Sequence, residues 1–265
     1  MYSHFQIAKK YFHYYLTAAN GKGHGMHSPF VFDFVQHILN NNKEYSSDTT
    51  IERLRTELLH NHRTITVEDL GAGSSVQSSH QRTISQIAAT ALKPKKYGQL
   101  LFRAVKNYQP RSILELGTSL GITTSYFATA HPSAKIITIE GSEAIAHIAQ
   151  ENFKKLGLTN IQLIQGNFDT QLSSAIHQLS AIDVAYIDGN HRYEPTWNYF
   201  QQLLQKKQND TILIFDDIHW SPDMEKVWKA IQQHPSVRCT IDIFFLGFVF
   251  FRQEFKEKQH FTIRF

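Results

Sequence analysis

Cysteine is nearly missing from this chain. One residue, Cys239, is present among 265, so no internal disulfide can form and a reducing compartment fits best. Long apolar runs are missing too. The longest, "IFFLGFVFF" at 243–251, is well short of the roughly 20 residues that a membrane-spanning helix needs. The opening "MYSHFQIAKKYFHYYL" has no apolar core of the secretory kind. A cytoplasmic location and no membrane partner are therefore expected. Nor is there a strong excess of either charge. Lysine and arginine number 27 against 23 acids, a net charge of +4, which permits anionic partners without demanding nucleic acid. With 42% hydrophobic and 19% charged residues, the composition is that of a soluble globular protein with a sizeable core.

What is present is a change of rhythm near residue 112. Up to about residue 62 the chain reads mostly as helix. "SPFVFDFVQHIL" (28–39) opens with a serine cap and a proline at the first helical position, and Phe30, Val31, Phe34, Val35, Ile38 and Leu39 make one apolar stripe. "TTIERLRTELLH" (49–60) places Ile51, Leu54 and Leu58 on one face. Residues 64–80 read as a short strand and a Gly/Ser loop, followed by helices at about 82–92 and 97–108, broken at Pro94. Beyond 112 the runs "SILEL", "KIITIE", "IQLIQ", "IDVAYID" and "TILIFDD" alternate with helical stretches. Strands apolar on both faces, alternating with helices, imply a parallel sheet covered on both sides. "CTIDIFF" and "FVFFR", on either side of Leu246-Gly247, read as a closing antiparallel hairpin.

Two glycine turns compete for a nucleotide-like ligand: "VEDLGAGSSVQ" (67–77) and "ILELGTSLGITT" (113–124). A turn that holds an adenosyl group needs a strand before it, glycines for close approach, and an acid ending the next strand, about 20 residues on, for the ribose. The second turn meets this test, with Glu140 ending "KIITIE" 19 residues beyond Gly121. The first does not: no β-like run follows it until 112, and no acid lies between residues 75 and 114. It reads as a polar loop, or a loop over the substrate mouth. The second turn is G-x-x-x-G rather than G-x-G-x-x-G. A dinucleotide pyrophosphate prefers the tighter form. A looser turn behind an acid suits S-adenosylmethionine, whose ammonium can be met by carboxylate and carbonyls and whose carboxylate by backbone N–H groups.

Two later strands also end in acids, Asp188 and the pair Asp216-Asp217. Ligands of open α/β sheets bind beyond the carboxyl ends of the strands, so these three should converge beside the cofactor. Three neighbouring carboxylates need compensation, and Mg²⁺ or another divalent cation with oxygen ligands would supply it. Turn capping is the plainer role for Asp216 or Asp217. His191, three residues past Asp188, has the imidazole that could accept a substrate proton near neutral pH.

The block from about 97 to 253 resembles class I S-adenosylmethionine-dependent methyltransferases. Within them it looks most like the metal-dependent O-methyltransferases of the catechol and caffeoyl-CoA type and their bacterial sugar and natural-product relatives. The resemblance is carried by "KYGQLLFRAVKNY", "LELGTSLGIT", "TIEGSEAIAHIAQENF", "QGNF", "IDGNH" and "FDDIH". It implies a Rossmann-like, doubly wound, mostly parallel seven-stranded sheet with an antiparallel C-terminal hairpin. A helical extension would occupy residues 1–80 and the catalytic domain residues 81–265. It also implies Glu115, Gly117, Gly121 and Thr123 around the methionine part, Glu140 on the ribose, and Asn167 and Phe168 at the adenine. Asp188, Asp216 and Asp217 fall at the metal positions, with Asp188 also beside the cofactor. His191 stands where the catechol and caffeoyl branches carry lysine, and Asp217 stands for their asparagine.

The implied reaction is O-methylation of a small hydroxylated molecule, with a cation aligning the acceptor and His191 and Asp188 as the catalytic pair. Two rivals are an N-methyltransferase or nucleic-acid-directed enzyme, and a non-catalytic adenosyl-binding protein. The first lacks the expected prolines in "IDGNHRY"; the second sits poorly with intact acids. Nucleic acid is not expected as a partner, and a homodimer is a possible assembly. Trp220 could wall the substrate or pack the rim. His24 and His27 have loose ligand-like spacing, and the acid-free basic run from Arg82 to Arg111 reads as a solvated face or an anion patch.

Overall fold

Regular alternation of strand and helix begins where the sequence predicts it. The protein is described by a computed structural model covering residues 1–23, 28–41, 43, 45–69 and 78–265. Its helices are α1 (His4–Thr17), α2 (Pro29–Phe34), α3 (Ser46–Leu59), α4 (Ile84–Ala91), α5 (Lys95–Tyr108), α6 (Ile122–Ala130), α7 (Glu143–Lys155), α8 (Phe168–His177), α9 (Tyr193–Leu203) and α10 (Pro222–Gln233). The strands are β1 (Thr64–Asp69), β2 (Ser78–Thr83), β3 (Ser112–Leu116), β4 (Lys135–Glu140), β5 (Ile161–Gln165), β6 (Ile182–Ile187), β7 (Lys207–Asp216), β8 (Cys239–Asp242), β9 (Leu246–Phe250) and β10 (Gln259–Thr262).

Among the described residues one sheet has eight strands, in the order β10-β8-β9-β7-β6-β3-β4-β5. The pairs β3/β4, β4/β5, β6/β7 and β8/β10 are parallel, while β9 runs antiparallel to both β7 and β8. This is the expected α/β class with its closing hairpin. One strand goes beyond the expected seven. β10, "QHFT", is short and polar with alternate residues exposed, so it carries no apolar run to announce it. A second, two-stranded sheet pairs β1 with β2 in antiparallel register from Thr64↔Thr83 to Asp69↔Ser78. The polar β2, "SSHQRT", was also invisible to a search for apolar runs. The loop joining these strands, with Gly71 and Gly73, lies outside the described residues, as do His24 and His27.

The chain divides into two compact units, residues 41–175 and residues 1–40 with 176–265. In the first, β3 is buried at every position, as a strand covered on both faces should be. Helix α3 is tied to α6 and α7 by polar contacts: the Tyr126 hydroxyl donates to Glu52 at 2.7 Å, and Lys155 pairs with Glu57. Arg63, just beyond α3, pairs with Glu151 of α7 at 2.8 Å. Helix α5 stops at Gln109, whose left-handed φ of 47° precedes Pro110, a residue that cannot continue a helix.

In the second unit, Ser3 and Gln6 form a reciprocal capping box that starts α1. The inner face of α1, Ile7, Tyr11, Tyr14 and Ala18, packs on Phe244 and Phe245. The Tyr14 hydroxyl donates to the carbonyl of Ile263 at 2.5 Å. Pro29 and Ser28 start α2 as predicted, but the α-helix ends at Phe34 and a π-helical turn, Val35–Leu39, completes the apolar stripe. Phe34 is buried edge-on against Phe248 at 5.0 Å. Burying such a ring contributes about 1.5–3 kcal/mol.

Candidate functional site

The residues 117–121 form a turn that only a special backbone permits. Gly117 (φ 98°), Ser119 (φ 47°) and Gly121 (φ 79°) all have positive φ. Gly121 also caps α6, and a Cβ there would come within 2.5 Å of Phe153. The turn is anchored to β4. The N–H groups of Gly117 and Thr118 donate to the carbonyl of Ile139 at 3.0 and 3.2 Å, and the Thr118 and Thr138 hydroxyls lie 2.6 Å apart. Asn152 of α7 donates to the carbonyl of Leu120 at 2.9 Å.

Glu140 is joined directly to this turn. Its Oε2 accepts from the Ser119 N–H at 2.8 Å and its Oε1 from the Ser142 N–H at 3.0 Å. Burial raises its pKa, while the backbone N–H groups of Ser142, Ser119 and Gly141 pull it back down. Glu115 sits on β3, fully buried. Its Oε2 accepts from Thr124 at 2.5 Å and from Thr138 at 2.7 Å. Its Oε1 is buried without a hydrogen-bond partner among the described residues. Burial pushes the Glu115 carboxyl up to about 8, against the two hydroxyls and helped by the charge of Glu140. Such an acid holds its proton above the ordinary carboxylate range, and a neighbouring cation would favour its ionised form.

Beyond β5, the Gly166 N–H donates to the carbonyl of Glu140 at 2.8 Å. The Asn167 side chain accepts from the Asp169 N–H at 2.8 Å, and its carbonyl accepts from Gln171 at 2.9 Å. Asn167 therefore starts α8, with Phe168 half-buried at its first position. Thr123 is likewise half-buried. The residue that reaches Glu115 is its neighbour Thr124, which sequence reasoning missed together with Thr138, Ser119 and Ser142. The signal for Thr124 and Thr138 was two hydroxyls within otherwise apolar buried segments.

The second unit carries the remaining predicted residues. Asp188 follows β6; the Tyr186 hydroxyl is 3.4 Å from its Oδ2, and His191 Nε2 is 3.6 Å from its Oδ1. His191 Nδ1 is buried with no hydrogen-bond partner among the described residues. The loop between them is braced by Asn190 (φ 61°), which donates to Tyr199 at 3.0 Å and accepts from Arg192 at 2.9 Å. Asp216 is buried at the end of β7. Asp217 takes a left-handed φ of 52° and its N–H donates to the carbonyl of Phe245 at 2.7 Å. It lines a small hollow with Ile7, His219, Trp220, Phe244 and Phe245.

Among the described residues, no group of three or more His, Cys, Asp and Glu side chains is placed to hold a metal ion. Asp188, Asp216 and Asp217, which the sequence expects to converge, follow β6, end β7 and begin the loop after it. The backbone at Asp217 is thereby tied to the Phe244–Phe245 turn. Trp220 packs in the same hollow, and its carbonyl accepts from the Tyr2 N–H at 3.1 Å. In the basic run, Arg82 is engaged with Thr90 at 2.8 Å, and Lys96 lies over the Tyr97 ring at 4.8 Å.

His219, which sequence reasoning left without a role, is the centre of a polar cluster. Its Nε2 is 2.8 Å from Asp242 and its Nδ1 3.1 Å from Glu225. Glu225 also receives Lys10 at 2.9 Å and the Tyr2 hydroxyl at 2.8 Å, and Phe244 stacks on the imidazole at 5.1 Å. Burial opposes the imidazolium, but the two carboxylates outweigh it and raise the His219 pKa.

Residues 114–218 match a family model described as a methyltransferase domain. A catechol O-methyltransferase of Niastella koreensis is 30% identical over 124 residues, covering 46% of this chain and 55% of that protein. This chain thus spans about half the length of that curated relative. Among solved structures, the O-methyltransferase TomG of Streptomyces achromogenes, in complex with SAM, superposes with a TM-score of 0.57 at 16% identity, covering 82% of this chain and 95% of its own. The Bacillus cereus O-methyltransferase in complex with SAH gives a TM-score of 0.56 at 18% identity over 81% of this chain and 95% of that one. Residues 114–218 thus resemble a methyltransferase domain, and the fold is shared with these solved O-methyltransferases.

Proposed function

We propose that this protein is an S-adenosylmethionine-dependent methyltransferase that methylates a hydroxyl of a small molecule in the cytoplasm. The observation that carries the reading is the turn at 117–121, held between a buried Glu115 with an unpartnered oxygen and the Glu140 carboxylate. Glu115 meets the ammonium of the methionine part and ionises on binding. Glu140 keeps lone pairs for the ribose hydroxyls while its backbone donors hold its shape. Gly117, Gly121 and Thr123 border the methionine part, and Asn167 and Phe168 border the adenine. The bound cofactor supplies a methyl group already activated by its sulfonium. His191 takes the acceptor proton, held in place by Asp188 at 3.6 Å. No step is assigned to a cation. Residues 1–80 are proposed as the appendage that shapes the acceptor side, and residues 81–265 as the catalytic domain. The lone Cys239 is buried, and burial pushes its thiol up to about 12.

The test is calorimetric titration with S-adenosylhomocysteine in two buffers of different ionisation enthalpy, then transfer of labelled methyl groups to a panel of catechols and phenols, with and without EDTA or added Mg²⁺. Binding with proton release and labelled methyl ether products are expected. No affinity for S-adenosylhomocysteine would overturn the reading. Full transfer by His191→Ala at every pH would remove the proposed base. A rate that requires Mg²⁺ would restore a cation to the mechanism.

A further inference from the structure

Helix α1 has two apolar faces, and among the described residues only one is packed. Ile7, Tyr11, Tyr14 and Ala18 pack inward. Phe5, Phe12 and Leu16 point elsewhere, with 80%, 64% and 62% of their surface exposed. At about 3.6 residues per turn, the spacings of seven and four place these three on one line, with Ala8 between them. This line lies about 150° round the helix from the packed one. Large apolar side chains scattered singly are ordinary, but an aligned stripe on a docked helix marks a contact surface.

Charge decides what kind of surface it meets. Residues 1–32 contain no Asp or Glu, but do contain Lys9, Lys10 and Lys22. Lys9 and His13 are exposed at one edge of the stripe, and Arg264 stacks on Tyr15 at the other, 4.5 Å from the ring. Two copies of α1 laid stripe to stripe would bring cations to cations with no acid from either helix. The stripe itself offers on the order of 500 Å², below the ~800 Å² per partner that a stable protein pair buries. An anionic lipid surface needs neither a matching shape nor that area, and it supplies the missing negative charge.

We propose that α1 docks this protein on the surface of an anionic bilayer, with Phe5, Phe12 and Leu16 entering the headgroup boundary and Lys9 and Arg264 at the phosphates. No helix among the described residues is long and apolar enough to cross a membrane, so the association is peripheral. Nothing in residue order announces it, because the two apolar faces of α1 are indistinguishable until one of them is packed.

The full chain is sedimented with vesicles of phosphatidylglycerol and phosphatidylcholine, and with phosphatidylcholine alone. Binding to the anionic vesicles is expected, falling in 0.5 M salt. The double variant Phe5→Ser/Phe12→Ser should bind at least about tenfold more weakly, and Lys9→Glu should weaken it further. Both positions are exposed, so near-ultraviolet dichroism and the melting temperature should not change. Absence of vesicle binding by the unaltered chain would overturn the proposal. So would equal binding by the double variant, or a dimer that the double variant dissociates in a protein that ignores vesicles, which would assign the stripe to a second copy.

Discussion

Ser119 donates its backbone N–H to Oε2 of Glu140 at 2.8 Å, so the residue expected to hold the ribose also holds the turn. Replacing it should damage both. Glu140→Ala is expected to weaken S-adenosylhomocysteine by at least about tenfold, since losing an acceptor for buried donors costs about 1–3 kcal/mol. Calorimetry measures the affinity, and a fall in melting temperature without ligand reports the loosened turn. An unchanged affinity would separate Glu140 from the ligand.

Glu115 should leave a mark on stability against pH. Its pKa of about 8 lies above the ordinary 4.5, so the folded chain keeps a proton that the unfolded chain releases. That contribution is complete below about 4.5 and drains away as pH rises to about 8. Glu115→Gln cannot lose a proton there. The melting temperature of the variant should therefore gain on the parent by about 2 °C or more between pH 5 and pH 8. Parallel curves would mean that Glu115 is ionised throughout.

Gly121→Ala tests the turn through its backbone. A side chain at φ 79° is strained, and the new methyl would stand 2.5 Å from Phe153. A loss of about 1–3 kcal/mol in urea unfolding is expected. A neutral substitution would show that the turn and α7 can shift without cost.

The His219 cluster predicts a window of pH. A raised His219 pKa gives stabilisation that is complete below the ordinary 6.5 and lost as pH rises through the raised value. A lowered Glu225 pKa, set by Lys10, Tyr2 and His219 against burial, gives stabilisation that is complete above 4.5 and lost in acid. Together they act most strongly between about 4.5 and 6.5. His219→Gln should cost about 1–2 kcal/mol in that window and less at pH 9. Limited proteolysis should then release α1 sooner. Equal cost at both pH values would make His219 a neutral packing residue.

Much of the fold was legible because burial on both faces writes continuous apolar runs into parallel strands. β3, β4 and β5 lie where "SILEL", "KIITIE" and "IQLIQ" place them, and β6 and β7 hold the next two runs up to, but not including, their last aspartate. The strands that escaped, β2 and β10, are polar and partly exposed, so their pairing depends on neighbours rather than on composition. The coupling of Glu140 to the glycine turn was legible from spacing. The hydroxyls that hold Glu115 were not, because a threonine in a buried helix or strand looks like any β-branched residue until its partner is placed.

By itself the sequence determined the parallel α/β core, the strand before and the helix after the 117–121 turn, and the acids at strand ends, all of which follow from local periodicity and from where chain segments must start and stop. Only the tertiary structure decided that the Asp217 N–H meets the Phe245 carbonyl, that His219 gathers Asp242 and Glu225, and that one apolar face of α1 is left exposed among the described residues. Those outcomes depend on which segments distant in sequence lie side by side, and local patterning does not encode a side chain's direction or its neighbour.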